Sequence, residues 1–397
     1  MTYVIVGGGI AGTTAAEELR KLQPDAEITI VSEEQHPCYS RVLLPHYLKG
    51  KVPRERVFLK KETWYAEKNI EWLPGTRVET LDVRNKFVLL SDGRELPYDK
   101  LLIATGGEVR PLVEDVRGVS YFRTLDDADH MAQLLRELPA GATGAVYGGG
   151  FIACEYVNIY AHFGIPCAVA HRGAHFWSRV LDAESGALIA KKLEEGGVRV
   201  LPNAALRGFA GGAHVEAMET DQETVLCGMV GAGIGIEPDL SWVKEAGVEV
   251  AHGIRANEYL ETNVPDVFTA GDITEFFDLT VGRHRLAGNW MSAQTQGRTV
   301  AKTMAGERTA FKLVSSYSTN VLGLEIIFIG DTDRAAAEDV KAYGSAADGG
   351  VTQLFARGGK VVGATLVNRN KDRAAVTKWI GDGADIHTVS IDVPLKT

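Results

Sequence analysis

One segment near the N-terminus restricts the possible folds more than any other: YVIVGGGIAGTTAAEELRKLQPDAEITIVSEE, beginning at Tyr3. Tyr3 to Val6 form a short apolar run of strand type. Gly7, Gly9 and Gly12 then fit G-x-G-x-x-G. Ile10, Ala15, Ala16 and Leu19 recur at helical spacing, and a second strand, Ile28 to Val31, ends just before Glu33. Each part has a physical task. Gly7 permits a tight turn, Gly9 lets a pyrophosphate approach the backbone, and Gly12 lets helix and strand pack closely. The helix start offers free N–H groups to phosphate, and the acid accepts hydrogen bonds from a ribose. A glycine motif alone says little. Strand, turn, helix, strand and acid in register point to a dinucleotide-binding unit.

The pattern recurs at GAVYGGGFIACEYVNIYAHFGIPCAVAHR, where Gly148 and Gly150 hold the first two glycine positions and Ala153 the third. Its second strand, roughly Cys167 to Ala170, ends in His171 and Arg172 rather than in an acid. Cations there suit the 2′-phosphate of NADP, so NADPH is favoured over NADH; the alternative is that both are merely strand-end residues. Two such units imply two dinucleotides. A third segment, VPDVFTAGDITEF, predicts a strand, Val267 to Ala270, with Gly271 and Asp272 opening a helical turn. Asp272 suits a sugar-like hydroxyl, or is a simple helix cap.

Composition narrows the class. With 397 residues, 45% hydrophobic and 24% charged, the chain is long enough for two or three globular domains. No apolar run approaches the roughly 18 residues of a membrane helix. The first strand begins at Thr2 or Tyr3, which leaves no room for a targeting peptide and favours a cytoplasmic location. A net charge of −10 argues against nucleic acid as partner. One local exception is the basic run Lys49, Lys51, Arg54, Arg56, Lys60 and Lys61. The four cysteines, Cys38, Cys154, Cys167 and Cys227, form no C-x-x-C pair, so no metal or iron–sulfur site is expected.

Four motifs in order, VIVGGGIAG, LLIATGG, VYGGGFIACEY and VFTAGDI, span most of the chain. With them the sequence resembles the pyridine nucleotide–disulfide oxidoreductases, and among these the rubredoxin and ferredoxin reductases and the flavin domain of assimilatory nitrite reductases. The resemblance implies that Gly7, Gly9, Gly12 and Glu33 hold FAD and that the Ala104, Thr105, Gly106 turn closes its domain. It also implies that Gly271 and Asp272 face the ribityl chain or adjoining phosphate. CYSRVLLPHYLKG looks like the family's Tyr-x-Arg-x-x-Leu segment along the flavin, which brings in Arg41. GNWMSAQTQGRTVAKTMAG resembles its Trp-x-x-Ala-x-x-Gln-Gly helix, which brings in Trp290 and Gln294.

The resemblance also implies an α/β fold of two Rossmann-like domains and a small C-terminal α+β domain. The expected boundaries are 1–108 with 238–308 for FAD, 109–237 for NAD(P), and 309–397 for the interface domain. Where many ferredoxin reductases carry a lysine paired to a glutamate beside the flavin, this chain has His46 and Glu155. One reading is a His46–Glu155 catalytic pair with a raised histidine pKa. The other is a hydrogen-bonded histidine without catalytic part.

Paired redox cysteines are missing, and Cys38 lies four residues before the position where single-cysteine relatives carry their thiol, so it reads as packing. The expected activity is that of an FAD-dependent NAD(P)H reductase feeding a rubredoxin or ferredoxin, which docks near Lys49–Lys61. Its rivals are an NAD(P)H oxidase or peroxidase, a redox-sensing flavoprotein resembling apoptosis-inducing factor, and a subunit feeding a larger enzyme. Monomer and homodimer are both open.

Overall fold

Successive side chains of a strand point to opposite faces, so a strand apolar at every position must be covered on both sides. Strand Thr2–Val6 is apolar and buried from Tyr3 onward. Tyr3 and Ile5 join one core with Ala15, Leu19, Val300 and Met304, while Val4 and Val6 join another with Val88, Leu90 and Val243. In the computed structural model, which describes residues 1–112 and 116–392, this strand is the centre of a parallel sheet. Residues 113–115 and 393–397, which fall in the expected NAD(P) and interface ranges, lie outside the described residues.

The chain divides into two compact units. The first comprises Met1–Val42, Pro53–Glu108 and Glu237–Ser315. Its parallel sheet runs Val267–Thr269, Lys100–Ile103, Thr2–Val6, Glu27–Val31, Ile70–Leu73. Helices Ile10–Leu22 and Trp290–Met304 cover one face, and a Cβ placed on Gly297 would meet the Ala11 carbonyl oxygen at 2.4 Å. A side chain there would force the helices apart. An antiparallel sheet, Val78–Asp82, Phe87–Leu90 and Glu95–Pro97, supplies apolar cover to the other face.

The second unit comprises Leu43–Val52, Val109–Ile236 and Ser316–Thr397. A second parallel sheet is ordered Arg199–Pro202, Cys167–His171, Gly144–Tyr147, Met229–Ala232, Val119–Ser120. Helix Phe151–His162 packs on it, and helix Leu125–Glu137 begins with a reciprocal Thr124–Asp127 capping box. The same unit contains a five-stranded antiparallel sheet, ordered Ser316–Val321, Leu324–Gly330, Lys360–Val367, Gly350–Arg357, Asp339–Ser345, with helix Arg373–Asp382 against it. The short helix Leu44–Leu48 groups with this unit because it packs on Leu125–Glu137, where Tyr47 donates to Asp129 Oδ1 at 2.7 Å. Among the described residues no helix is long and apolar enough to cross a membrane.

Candidate functional site

In the first unit the three glycines stand where their motif requires, each for a different reason. Gly7 has φ +121°, and a Cβ on it would sit 2.3 Å from the carbonyl oxygen of Ala104. A Cβ on Gly12 would sit 2.0 Å from the carbonyl oxygen of Gly7, so that helix Ile10–Leu22 can approach only as glycine. Gly9, the residue capping that helix, has nothing within 4 Å of its Cβ position. The turn is thus sealed by protein at Gly7 and Gly12 and open at Gly9, a cradle that fits a pyrophosphate. Ala104, Thr105 and Gly106 follow strand Lys100–Ile103 directly, and the Ala104 N–H donates to Val6 O at 2.8 Å.

Glu33 lies beyond strand Glu27–Val31, exposed, with Arg77 donating to its Oε1 at 3.1 Å. Arg77 also donates to Asp239 Oδ2 at 3.0 Å. The next residue, Glu34, accepts from Tyr39 Oη at 2.5 Å and from Arg41 Nη2 at 2.5 Å, and so orients Arg41. Burial weighs against the charge on Arg41, but the carboxylates of Glu34 and Asp272 outweigh it and its pKa is raised. Sequence reasoning missed Glu34 and Arg77, whose parts depend on contacts made by residues distant along the chain.

Two expectations need correction here. Gly271 and Asp272 make a turn, but it runs into strand Thr274–Asp278, not a helix. The Thr269 and Thr274 hydroxyls, 2.8 Å apart, close the turn, and the following aromatic and β-branched residues favour a strand. The second concerns Gln294, which is only half-buried. The wholly buried Gln296 accepts from the Gly271 N–H at 2.8 Å and donates to Ser292 Oγ at 3.1 Å, tying the Trp290–Met304 helix to the Asp272 turn. The Trp-x-x-Ala-x-x-Gln-Gly spacing, counted from Trp290, reaches Gln296; the two-residue slip was one of register.

In the second unit Gly148 has φ +141°, with a Cβ position 2.2 Å from the carbonyl oxygen of Gly233. Gly150 caps helix Phe151–His162, and Ala153 is wholly buried on that helix. The Gly150 Cβ position meets only Trp177 Nε1, at 3.7 Å, so this turn too is open where a phosphate would approach. His171 departs from its expected part as a cation. Its ring is buried edge-on to Phe176, Nδ1 lies 2.9 Å from the Gly173 carbonyl oxygen, and burial lowers its pKa. Arg172 remains as the exposed cation at this strand end.

Glu155 lies on helix Phe151–His162. Burial raises its pKa, and the ammonium of Lys49 pulls it back. His46 is exposed, and its pKa is lowered, by partial burial and by Lys49 and Lys51, where a glutamate partner would have raised it. The helix Leu44–Leu48 packs against helix Phe151–His162, and Lys49 is its C-terminal cap. The charge addressing Glu155 is therefore one helical turn beyond His46.

All four cysteines are buried and free. Burial lifts the Cys38 thiol to about 11, with a hydrogen bond from Thr13 and nearby cations opposing. Burial alone lifts Cys167 to about 12, and chiefly burial lifts Cys227 to about 11. Cys154 is raised by burial and by Glu155. At neutral pH these are thiols, not nucleophilic thiolates. Among the described residues no group of three His, Cys, Asp or Glu side chains converges to hold a metal.

The anthranilate 1,2-dioxygenase system ferredoxin–NAD(+) reductase component of Burkholderia cepacia is 32% identical over 398 residues, covering 96% of this chain and 94% of its own length. The nitrite reductase [NAD(P)H] of Bacillus subtilis (strain 168) is 29% identical over 394 residues, covering 98% of this chain; the chain spans only 48% of that relative. Among solved structures, the reductase in a covalent putidaredoxin reductase–putidaredoxin complex superposes with a TM-score of 0.89 at 27% identity, covering 96% of this chain and 93% of that one. With two glycine turns shaped for dinucleotides and a family match across residues 1–297, the chain belongs to the pyridine nucleotide-disulphide oxidoreductase family.

Proposed function

We propose that this FAD- and nicotinamide-dependent oxidoreductase passes electrons to a small redox protein of the rubredoxin or ferredoxin type, without a redox disulfide. The observation that carries the reading is the pairing of two open dinucleotide turns with four buried thiols of raised pKa. FAD held by these residues would supply hydride acceptance and single-electron release, which makes a thiol relay unnecessary. In this reading Gly7, Gly9, Gly12, the Ala104–Gly106 turn, Glu33, Arg41, the Gly271–Asp272 turn and Trp290 hold FAD. Gly148, Gly150 and Ala153 hold the nicotinamide dinucleotide. Glu155, balanced by Lys49 in place of the expected His46, sets the charge on helix Phe151–His162, which the second glycine turn opens. Arg172 alone supplies the cation for a 2′-phosphate, and NADPH is the preferred donor on that account. The domain boundaries inferred from the sequence and a cytoplasmic location belong to the same proposal.

Of the basic run, Lys60 is engaged within the first unit, with Nζ 2.9 Å from Glu17 Oε1 and over the Trp64 ring at 4.1 Å. In the same unit Arg56 and Lys61 are exposed, and we assign acceptor steering to them. The relatives named as ferredoxin reductases and the reductase–putidaredoxin complex support this kind of partner. The test is anaerobic NADPH-driven reduction of a purified [2Fe–2S] ferredoxin and of a rubredoxin. Turnover with either, well above that with oxygen, supports the reading. Stoichiometric consumption of oxygen or peroxide, with neither carrier reduced, would replace it by the oxidase or peroxidase alternative.

A further inference from the structure

Trp177 has φ +48°, a left-handed backbone that bulky side chains avoid. Several contacts hold it there. Its N–H donates to Gly149 O at 2.9 Å, in the middle of the second glycine turn. Its carbonyl accepts from the Val180 and Leu181 N–H groups at 2.7 and 2.9 Å. Downstream, the buried Gln353 donates to Val180 O at 3.2 Å and accepts from the Asp182 N–H at 3.1 Å. The indole packs edge-on to Phe151, with ring centroids 5.0 Å apart, and lies 5.4 Å from Phe328. The strap from His171 to Asp182 is thereby fixed at both ends, with the indole beside the turn. Trp177 is half-buried, and its Nε1 is the one atom within 4 Å of the Cβ position of Gly150. Among the described residues that N–H has no acceptor, although the rest of the strap is hydrogen-bonded. A tryptophan so placed presents a rigid, neutral donor to the space beside the turn.

We propose that the indole N–H of Trp177 donates a hydrogen bond to the pyrophosphate of the nicotinamide dinucleotide, adding a side-chain donor to the backbone N–H groups of the second turn. This rests on the reading of that turn given above. It makes Trp177 a binding residue specific for the pyrophosphate, indifferent to whether the adenosine carries a 2′-phosphate.

The test is calorimetric titration of the oxidised holoenzyme with NAD+, with ADP-ribose and with adenosine, which carries no phosphate. Trp177→Phe keeps an aromatic ring and the same backbone cost, and removes the donor. It is expected to weaken NAD+ and ADP-ribose binding by about tenfold, the range of one hydrogen bond to a charged group, with adenosine affinity unchanged. A change of less than threefold for ADP-ribose, or an equal loss for adenosine, would overturn the inference. Should the phenylalanine variant shed its flavin, Trp177→Leu is titrated and judged by the same criterion. Wild-type protein that bound neither NAD+ nor ADP-ribose would overturn the reading of the turn itself, whereas normal wild-type binding with an unaffected variant overturns the inference alone.

Discussion

Tyr47 donates a hydrogen bond to Asp129 at 2.7 Å, and this bond pins the five-residue helix Leu44–Leu48 onto helix Leu125–Glu137. So pinned, the helix brings Lys49 to bear on Glu155 and leaves His46 exposed. Lys49→Met is expected to slow anaerobic flavin reduction by NADPH by about tenfold, the scale of one lost charge interaction at a partly buried site. His46→Ala should leave that rate within about twofold. Stopped-flow absorbance of the flavin reads both. The reverse pattern would return the role to His46. Tyr47→Phe should cost about 1 kcal/mol of stability, the worth of one hydrogen bond.

Glu155 also makes stability depend on pH. Burial raises its folded-state pKa above the ordinary 4.5, with Lys49 opposing. The folded chain therefore keeps a proton over a window in which the unfolded chain has released it. The contribution of this group to stability is fullest below the unfolded value and is lost as pH rises through the folded one. Glu155→Gln cannot titrate. Its thermal midpoint should gain on that of wild type as pH is raised from about 4 to about 8, across the carboxylate range. A difference independent of pH would show that the carboxyl is not shifted.

Gly9 separates cofactor binding from folding. Its backbone, φ −73° and ψ −171°, is open to any residue, and its Cβ position is empty. Gly9→Ala should fold with a stability cost below about 1 kcal/mol, yet retain FAD at least about tenfold less well if the pyrophosphate lies against that backbone. Gly12→Ala, which would drive a methyl group to 2.0 Å from Gly7 O, should instead damage the fold itself. Differential scanning calorimetry of the apoprotein, beside flavin retention on dialysis, distinguishes the two.

Cys38 is buried, and we read it as packing. Its backbone N–H donates to the Tyr65 hydroxyl oxygen at 3.0 Å, and its thiol lies against Thr13. Cys38→Ser should cost about 1–2 kcal/mol by placing a more polar group in a buried site, while flavin reduction and acceptor turnover stay within about twofold. Turnover abolished in a folded, flavin-replete variant would contradict this.

Much of the fold could be read from the sequence because each dinucleotide unit is written locally: an apolar strand, glycines with separate steric duties, an amphipathic helix, a second strand. Gly7 and Gly148 are required by turns that only positive φ allows, and both turns stand where the motif puts them. What was not legible depends on distant packing. The motif names His46 as the partner of Glu155, but the placement of Leu44–Leu48 depends on Asp129, far along the chain. His171 sits at a strand end that suits a cation, yet Phe176 and Gly149 cover its ring and favour the neutral form. Gln296 was within reach of the motif and was missed through register alone.

The central claim is that flavin is the sole redox centre and the cysteines take no part. The most direct measurement is an anaerobic dithionite titration of the flavin-replete protein, with electrons counted per flavin and NADPH compared with NADH as reductant. Uptake of two electrons per flavin is the result expected from four buried thiols of raised pKa. Uptake of four would reveal a second two-electron centre and contradict the claim, with Cys38 the first residue to replace.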